Sequence, residues 1–325
     1  QRIRMNKKAF ITGVAGQDGL YLAELLYGKG YEIHGLVRDK GSKRYAEADA
    51  ILQATRTVQH TGDVTDAGLL SSLIADIRPH EIYHLAGISV DNPVIPEDSF
   101  TMMATNFGSA HHFLSIVREH SPKSKFFFAS SSRIFGAPEA SPQNEQTPYN
   151  PNSLYGIAKT AATHLIKMYR EKFGLFACSG ILFSHESPRR REEFVTRKIA
   201  KAAVRISLGL EHKLALGNLE TKRDWGFAGD YIEAMWRMLR NEKPGDYVIG
   251  TGETHSIKEF AEKTFSLVGL SWKDYVIQDK KLFRPLEKHE IVADFSKARQ
   301  ELQWIPQTSF SDLVAMMILG EQKIQ

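Results

Sequence analysis

The chain reads as an α/β protein, a Rossmann-type doubly wound parallel sheet with a smaller C-terminal substrate-binding region. Three observations predict this. Short apolar runs alternate with amphipathic helical patterns through the first half, and a glycine-spaced turn joins the first run to the first helix. Past residue 183 the alternation decays into basic helices and Pro- and Gly-punctuated pieces.

The runs are Ala9 to Thr12, Glu32 to Val37, Val58 to His60, Glu81 to Ala86, Lys125 to Ser130 and Phe176 to Phe183. Their lengths suit buried strands. Between them Leu20 to Gly28, Ala67 to Ile77, Ala104 to Arg118 and Tyr155 to Glu171 carry apolar residues at helical spacing. Strands separated by helices pair in parallel through right-handed crossovers, which cover both sheet faces. After Ser184 come the basic helix Arg197 to Leu208 and the breaks at Pro244-Gly245 and Arg284-Pro285.

Composition narrows the function classes. With 325 residues, 42% hydrophobic and 25% charged, the chain has mass for one large or two modest cores. The net charge of +4 is small and Lys and Arg are dispersed, which argues against a nucleic-acid partner. No apolar stretch approaches the roughly 20 residues that span a bilayer, and Gln1 to Lys8 run into a strand without a secretory core. A cytoplasmic protein with no membrane partner is expected. The single cysteine, Cys178 in Leu175-Phe176-Ala177-Cys178, excludes an internal disulfide and a thiolate metal cluster. A buried, inert thiol and no metal site are expected.

The segment Thr12-Gly13-Val14-Ala15-Gly16-Gln17-Asp18-Gly19 spaces its glycines for a tight turn, close approach of a pyrophosphate, and close packing of the following helix. A bare glycine triplet is a weak signal, but here it opens the first strand-helix unit, where a dinucleotide site belongs. At the end of the second run, Leu36-Val37-Arg38-Asp39-Lys40 offers both an acid for ribose hydroxyls and a base for an extra phosphate. Arg38, with Lys40, Lys43 and Arg44, leans toward NADP, with NAD as the alternative. Asp63 and Val64 after the third run are placed for the adenine, and Leu85, Ala86 and Ser89 after the fourth for the cofactor's flank.

Tyr155 and Lys159, in Ser153-Leu154-Tyr155-Gly156-Ile157-Ala158-Lys159, fall one helical turn apart on one face. A lysine there depresses the phenol's pKa, making the tyrosine a proton carrier near neutrality. Such a pair alone is common on solvated helices; its weight comes from the glycine loop upstream and the hydroxyl-rich strand end Ser130-Ser131-Ser132 between them.

With these segments the chain resembles the GDP-mannose 4,6-dehydratases, extended short-chain dehydrogenase/reductases. The resemblance continues nearly end to end, through Ile181-Leu182-Phe183-Ser184-His185-Glu186-Ser187-Pro188-Arg189-Arg190, Phe194-Val195-Thr196-Arg197-Lys198, Leu216-Gly217-Asn218, Lys222-Arg223-Asp224-Trp225-Gly226 and Phe283-Arg284-Pro285. It implies a dinucleotide-binding domain over residues 1–183 and a nucleotide-sugar-binding region over residues 184–325. It implies hydride transfer from C4 of the hexose, with Tyr155 taking the hydroxyl proton and Ser131 orienting it. Gly13, Gly16, Gln17, Asp18, Gly19, His185 and Arg190 would serve the cofactor. Ser184, Val195, Lys198, Gly217, Asn218, Arg223, Arg284 and Glu287 would hold the GDP-sugar. Read without the resemblance, Arg223 and Arg284 sit beside the apolar anchors Trp225 and Phe283, which suits bidentate contact with a diphosphate. Arg223-Asp224 also reads as a structural ion pair, and Arg189-Arg190-Arg191 as a solvated basic loop.

The chain departs from the family pattern at four places. Ser131 and Ser132 take the hydroxyl and serine positions, but Arg133 stands where the family has the glutamate that moves the C5 proton and the C6 hydroxyl. A guanidinium cannot accept that proton. Ser184 replaces an asparagine, Asp39 replaces a second arginine, and a serine-rich loop is lost, which speaks against the family's tetramer; a homodimer through the Ala104 to Arg118 and Tyr155 to Glu171 helices is expected. The expectation is a dehydratase-like enzyme acting at C4 of a GDP-hexose or heptose. A GDP-4-keto-sugar reductase or C4 oxidase without dehydration, and a non-catalytic dinucleotide sensor, stand as alternatives.

Overall fold

The computed structural model describes residues 7–89, 98–283 and 289–324. Strands β1 (Lys8–Thr12), β2 (Glu32–Val37), β3 (Val58–Thr61), β4 (Glu81–His84), β5 (Lys125–Ala129) and β6 (Ala177–Leu182) form one sheet with a seventh strand, Asp246–Ile249. Its order is β3-β2-β1-β4-β5-β6 with Asp246–Ile249 outermost, and each neighbouring pair is parallel. The sheet reverses direction of growth between β1 and β4. In an open α/β sheet the crevice at that switch point is where ligands bind.

The strands are continuously apolar because both faces are covered. One apolar cluster packs Ile11, Leu22, Leu26, Ile33, Tyr83 and Met235 together; the other packs Phe10, Leu70, Ile74, Ile82, Phe113 and Ile166. The Gln17–Gly28 helix follows β1 directly and lies against the Ala228–Arg240 helix. The helix spanning 99–120 contains a π turn at Ala104–Gly108. Ser153 caps the 20-residue Leu154–Phe173 helix by accepting from the Gly156 amide at 3.1 Å.

Residues past 184 build a second core from Ile199, Ala203, Trp225, Phe260, Phe265, Leu313 and Met317. They also supply the outer strand and one cover helix of the large sheet, so the two regions interlock. Three short strand pairs hold the second region in shape. Ser184–Glu186 pairs with Trp225–Phe227, Lys222–Arg223 with His255–Ser256, and Leu214–Leu216 with Val276–Gln278. Among the described residues no helix is long and apolar enough to cross a membrane.

Candidate active site

The glycine loop is a built cradle. Gly13 sits at φ +70°, where a Cβ would stand 3.0 Å from the Ala86 nitrogen. At Gly19 a Cβ would stand 2.4 Å from the Gly13 carbonyl oxygen, so the helix packs as closely as the dinucleotide pattern requires. Leu85 and Ala86 thus lie against the loop. Glu81 to Ala86 was expected as strand, but β4 ends at His84 because the Ala86 amide donates to Thr12 Oγ1, at 3.2 Å, instead of continuing the ladder. That hydroxyl also bonds His84 Nδ1 at 2.7 Å, and His84 Nε2 meets Ser109 Oγ at 2.8 Å. Burial lowers the His84 pKa to about 3, so the ring is a neutral bridge.

A second lock joins the loop to the segment after β6. Ser187 Oγ donates to Gln17 Oε1 at 2.8 Å, and Gln17 Nε2 donates to the His185 carbonyl at 3.1 Å. His185 Nδ1 bonds the Phe183 carbonyl at 2.7 Å and Nε2 bonds Asp18 Oδ2 at 2.9 Å. Burial opposes ionisation of both groups, but their attraction outweighs it. His185 is raised above its ordinary pKa and Asp18 is lowered to about 2. Tyr231 stacks on the imidazole with ring centres 4.7 Å apart.

Around the crevice rim, Arg38 and Asp39 are exposed. Asp39 Oδ1 accepts from the Gly41 amide at 2.7 Å. Asp63 Oδ1 is taken up by Thr65, from its amide at 2.9 Å and its hydroxyl at 2.8 Å, while Val64 is buried beside it. The Ser89 carbonyl faces Arg191 Nη2 at 3.5 Å.

Tyr155 and Lys159 rise from the Leu154–Phe173 helix under the end of β5. Lys159 is 3% exposed; its Nζ donates to the Ala129 carbonyl at 2.8 Å and lies 4.5 Å from the Phe128 ring centre. Burial lowers its pKa to about 7. Ser130 Oγ bonds Thr163 Oγ1 at 2.7 Å, and Thr163 Oγ1 donates to the Lys159 carbonyl at 2.8 Å, tying strand end to helix. Ser131 accepts from the Arg133 amide at 3.2 Å and caps the Ser132–Ile134 turn.

One site residue escaped the sequence reading. Asn106, fully buried on the π turn, donates to the Ile88 and Met102 carbonyls at 2.9 and 3.0 Å. Its Oδ1 has no hydrogen-bond partner among the described residues. A Cβ on Gly87 would stand 2.8 Å from that oxygen and 3.5 Å from Lys159 Nζ, so both atoms border the same small space. A buried orphan acceptor beside an ammonium and the glycine cradle together fit the ribose end of a dinucleotide. The one trace in the sequence was Asn106 inside a helical pattern, and π turns gather at functional sites.

Ser132, Arg133, Phe183, Ser184, Arg223, Asp224 and Ile291 line one cleft, bringing the β5 end to the second region. Asp224 is buried and accepts from Thr251 N, Thr251 Oγ1, Gly252 N and Ala293 N at 2.7 to 3.1 Å. Burial still raises its pKa. Glu186, also buried, accepts from Thr196 Oγ1 at 2.6 Å and pairs with Arg190 at 3.2 Å. Farther along, Val195 opens the Val195–Ser207 helix and Lys198 Nζ donates to the Ala215 carbonyl at 2.8 Å. Gly217 comes directly after that strand, Leu214–Leu216, packed against the Leu282 carbonyl, and Asn218 Oδ1 accepts from the Glu220 amide at 3.0 Å. Arg284 and Glu287 lie outside the described residues.

Residues 10–317 match the family model described as GDP-mannose 4,6 dehydratase. The chain is similar to GDP-mannose 4,6 dehydratase 2 of Arabidopsis thaliana, 47% identical over 97% of this chain and 87% of that protein. Among solved structures it resembles the UDP-glucose 4-epimerase of Thermotoga maritima with UDP-glucose, at a TM-score of 0.85 and 20% identity over 98% of this chain and 99% of that one. It also resembles RMD from Pseudomonas aeruginosa complexed with NADPH, at a TM-score of 0.80 and 20% identity over 98% of this chain and all (100%) of that one. At such identities the structures show a shared fold.

Proposed function

Because the chain belongs to the GDP-mannose 4,6-dehydratase family, we propose that it is a nucleotide-sugar enzyme of the short-chain dehydrogenase/reductase type that keeps C4 redox chemistry and has lost the elimination. The substrate is a GDP-linked hexose or heptose, and the cofactor is NADP, with NAD as the alternative. In this reading residues 1–183 carry the dinucleotide and residues 184–325 the nucleotide sugar, in a cytoplasmic homodimer.

Bound nicotinamide supplies the hydride acceptor or donor. The chain's residues do the rest. Tyr155 takes the C4 hydroxyl proton, Ser131 orients that hydroxyl, and buried Lys159 favours the phenolate by its charge. Asn106 and the Ala129 carbonyl fix the ammonium's surroundings. Val195, Lys198, Gly217, Asn218 and Arg223 hold the GDP, and Ser184 borders the sugar.

One observation carries the loss of elimination. Arg133 lines the cleft where a proton-accepting carboxylate is needed, and a guanidinium stays protonated. The cleft's carboxylate, Asp224, is taken up by four donors, and Glu186 by Thr196 and Arg190. Run in reverse, the same residues would reduce a GDP-4-keto sugar. A pure dinucleotide sensor would need the glycine loop but no activated tyrosine. The test is product mass after incubation with GDP-mannose and oxidised cofactor. Cofactor reduction without loss of water is expected, and robust water loss would overturn the reading.

A further inference from the structure

We propose that Arg44 is the residue by which this chain tells NADP(H) from NADH and NAD, working with Arg191 as two guanidiniums set over the phosphate loop. The proposal rests on the cofactor being a nicotinamide dinucleotide. The sequence groups Arg44 with Arg38, Lys40 and Lys43 around Asp39, and the structure sets Arg44 apart, in the next helix. Asp39 makes a turn in which its Oδ1 accepts from Gly41 N at 2.7 Å and its carbonyl accepts from Ser42 Oγ at 2.9 Å. Ser42 then caps the Lys43–Ala54 helix, so Arg44 falls in that helix's first turn, facing back to the loop.

The contact is specific. Arg44 Nε donates to the Ala15 carbonyl at 3.2 Å, and Nη2 stands 2.8 Å from where a Cβ on Gly16 would be. Gly16 lacks a side chain so that a phosphate can come close, and the guanidinium occupies the edge of that opening. Among the described residues Arg44 makes no ion pair, although the Asp18 and Glu193 carboxylates attract it from farther off. Arg191 lies near enough for its charge to act on Arg44, and is itself held by Glu193 at 3.0 Å and reaches the Ser89 carbonyl at 3.5 Å. Crowding by neighbouring groups first, and then the charge of Arg191, hold the Arg44 guanidinium below its ordinary pKa, although the residue as a whole is exposed.

Two cations that repel across an opening are satisfied by a dianion. Both dinucleotides carry the pyrophosphate, which the loop amides and helix N-terminus can serve. The phosphate on the adenosine ribose belongs to NADP alone, and that ribose lies beside the end of β2, from which the Arg44 turn departs. A planar guanidinium matches a phosphate bidentately, which an ammonium cannot do.

The test is titration of NADPH and NADH, without sugar, into the intact chain and into Arg44→Ala, Arg44→Lys and Arg38→Ala. Arg44→Ala should weaken NADPH by about ten- to a hundredfold, the range for hydrogen bonds to a charged group, and leave NADH within about twofold. Arg44→Lys should recover part of the loss. An equal fall for both dinucleotides would assign Arg44 to the pyrophosphate or to loop shape and overturn the proposal. So would a preference that survives Arg44→Ala and collapses in Arg38→Ala, or an intact chain that binds neither dinucleotide. Because no sugar is present, the C4 reading can fail in its product assay while this result stands.

Discussion

The ammonium nitrogen of Lys159 lies 5.7 Å from the centre of the Tyr155 ring, in a position where it is almost wholly withdrawn from water. Burial penalises its charge, so the folded chain holds this proton less tightly than the unfolded chain does. Between pH of about 7 and the ordinary lysine value of 10.5 the unfolded state binds more protons, and this group's contribution to stability rises with pH across that window. Lys159→Met should flatten the rise, visible as a smaller difference in urea midpoint between pH 7 and pH 9. It should also leave the midpoint at neutral pH unchanged or higher while hydride transfer falls by about a hundred- to ten-thousandfold. A destabilised variant that keeps its turnover would reverse both assignments.

Tyr155→Phe separates chemistry from binding. The ring still packs beside Lys159, and only the proton relay is removed. Turnover should drop by about a hundredfold or more while dinucleotide affinity stays within a few fold. Single-turnover hydride transfer beside a binding titration checks this. Unchanged transfer would remove Tyr155 from the catalytic set.

The Asp18–His185 pair holds the phosphate loop to the segment after β6, and its titration bounds the pH range of that lock. Asp18 is depressed to about 2, so its contribution is present above the ordinary value of 3.8 and is lost as pH falls toward 2. His185 is raised, so its contribution is present below the ordinary 6.5 and is lost as pH climbs through its folded value. Asp18→Asn should cost about 1–3 kcal/mol at pH 6 and less at pH 9, as the raised imidazole gives up its proton with rising pH. Thermal melts at both pH values measure the difference, and equal losses would show that the charge pair is not the lock.

Much of this site was legible because it depends on local pattern. The glycine spacing, the Tyr155–Lys159 turn and strands β1 to β6 each announce themselves within a dozen residues. The Lys43–Ala54 helix did not, because it buries only Ala48 and Leu52 and shows no apolar stripe. Its cationic first turn therefore read as a loose cluster with Arg38. The outer strand Asp246–Ile249 returns to the sheet from the second region, a connection that no local periodicity encodes. Asn106 became visible only when the fold placed its orphan oxygen beside Lys159.

Association through the 99–120 helix and the Leu154–Phe173 helix is the fourth expectation. Phe100, Ile157, Met168 and Phe173 on these two elements are 88%, 47%, 42% and 46% exposed. A four-helix seam between two copies would cover such residues. Light scattering at micromolar concentration should give a dimer, and the double variant Phe100→Glu, Ile157→Glu should give a folded monomer. A monomeric native chain would refute the seam.

The last expectation concerns the cleft that Arg133 shares with Ser132, Ser184 and Arg223. Arg133 lies two residues after Ser131, whose hydroxyl caps the turn, and its carbonyl packs against Gly156, the neighbour of Tyr155. A carboxylate at residue 133 would stand near the Ser131 hydroxyl proposed to orient C4, and should come within range of the neighbouring carbon acid once oxidation at C4 has made its proton labile. Arg133→Glu should therefore introduce water loss from the GDP-hexose where the native chain shows none. A well-placed general base contributes about a hundred- to ten-thousandfold, and a base off by a fraction of an ångström contributes much less. The gain should sit at the low end, because Ser184 in the same cleft also departs from the family pattern. Restoring asparagine there in the double variant should raise elimination further, whereas a change in C4 oxidation rate would show that Ser184 serves the redox step instead. Mass spectra of the nucleotide sugar over time decide the matter. If neither variant loses water while C4 oxidation proceeds, the missing carboxylate is not what blocks elimination, and the cleft excludes it by how it seats the sugar.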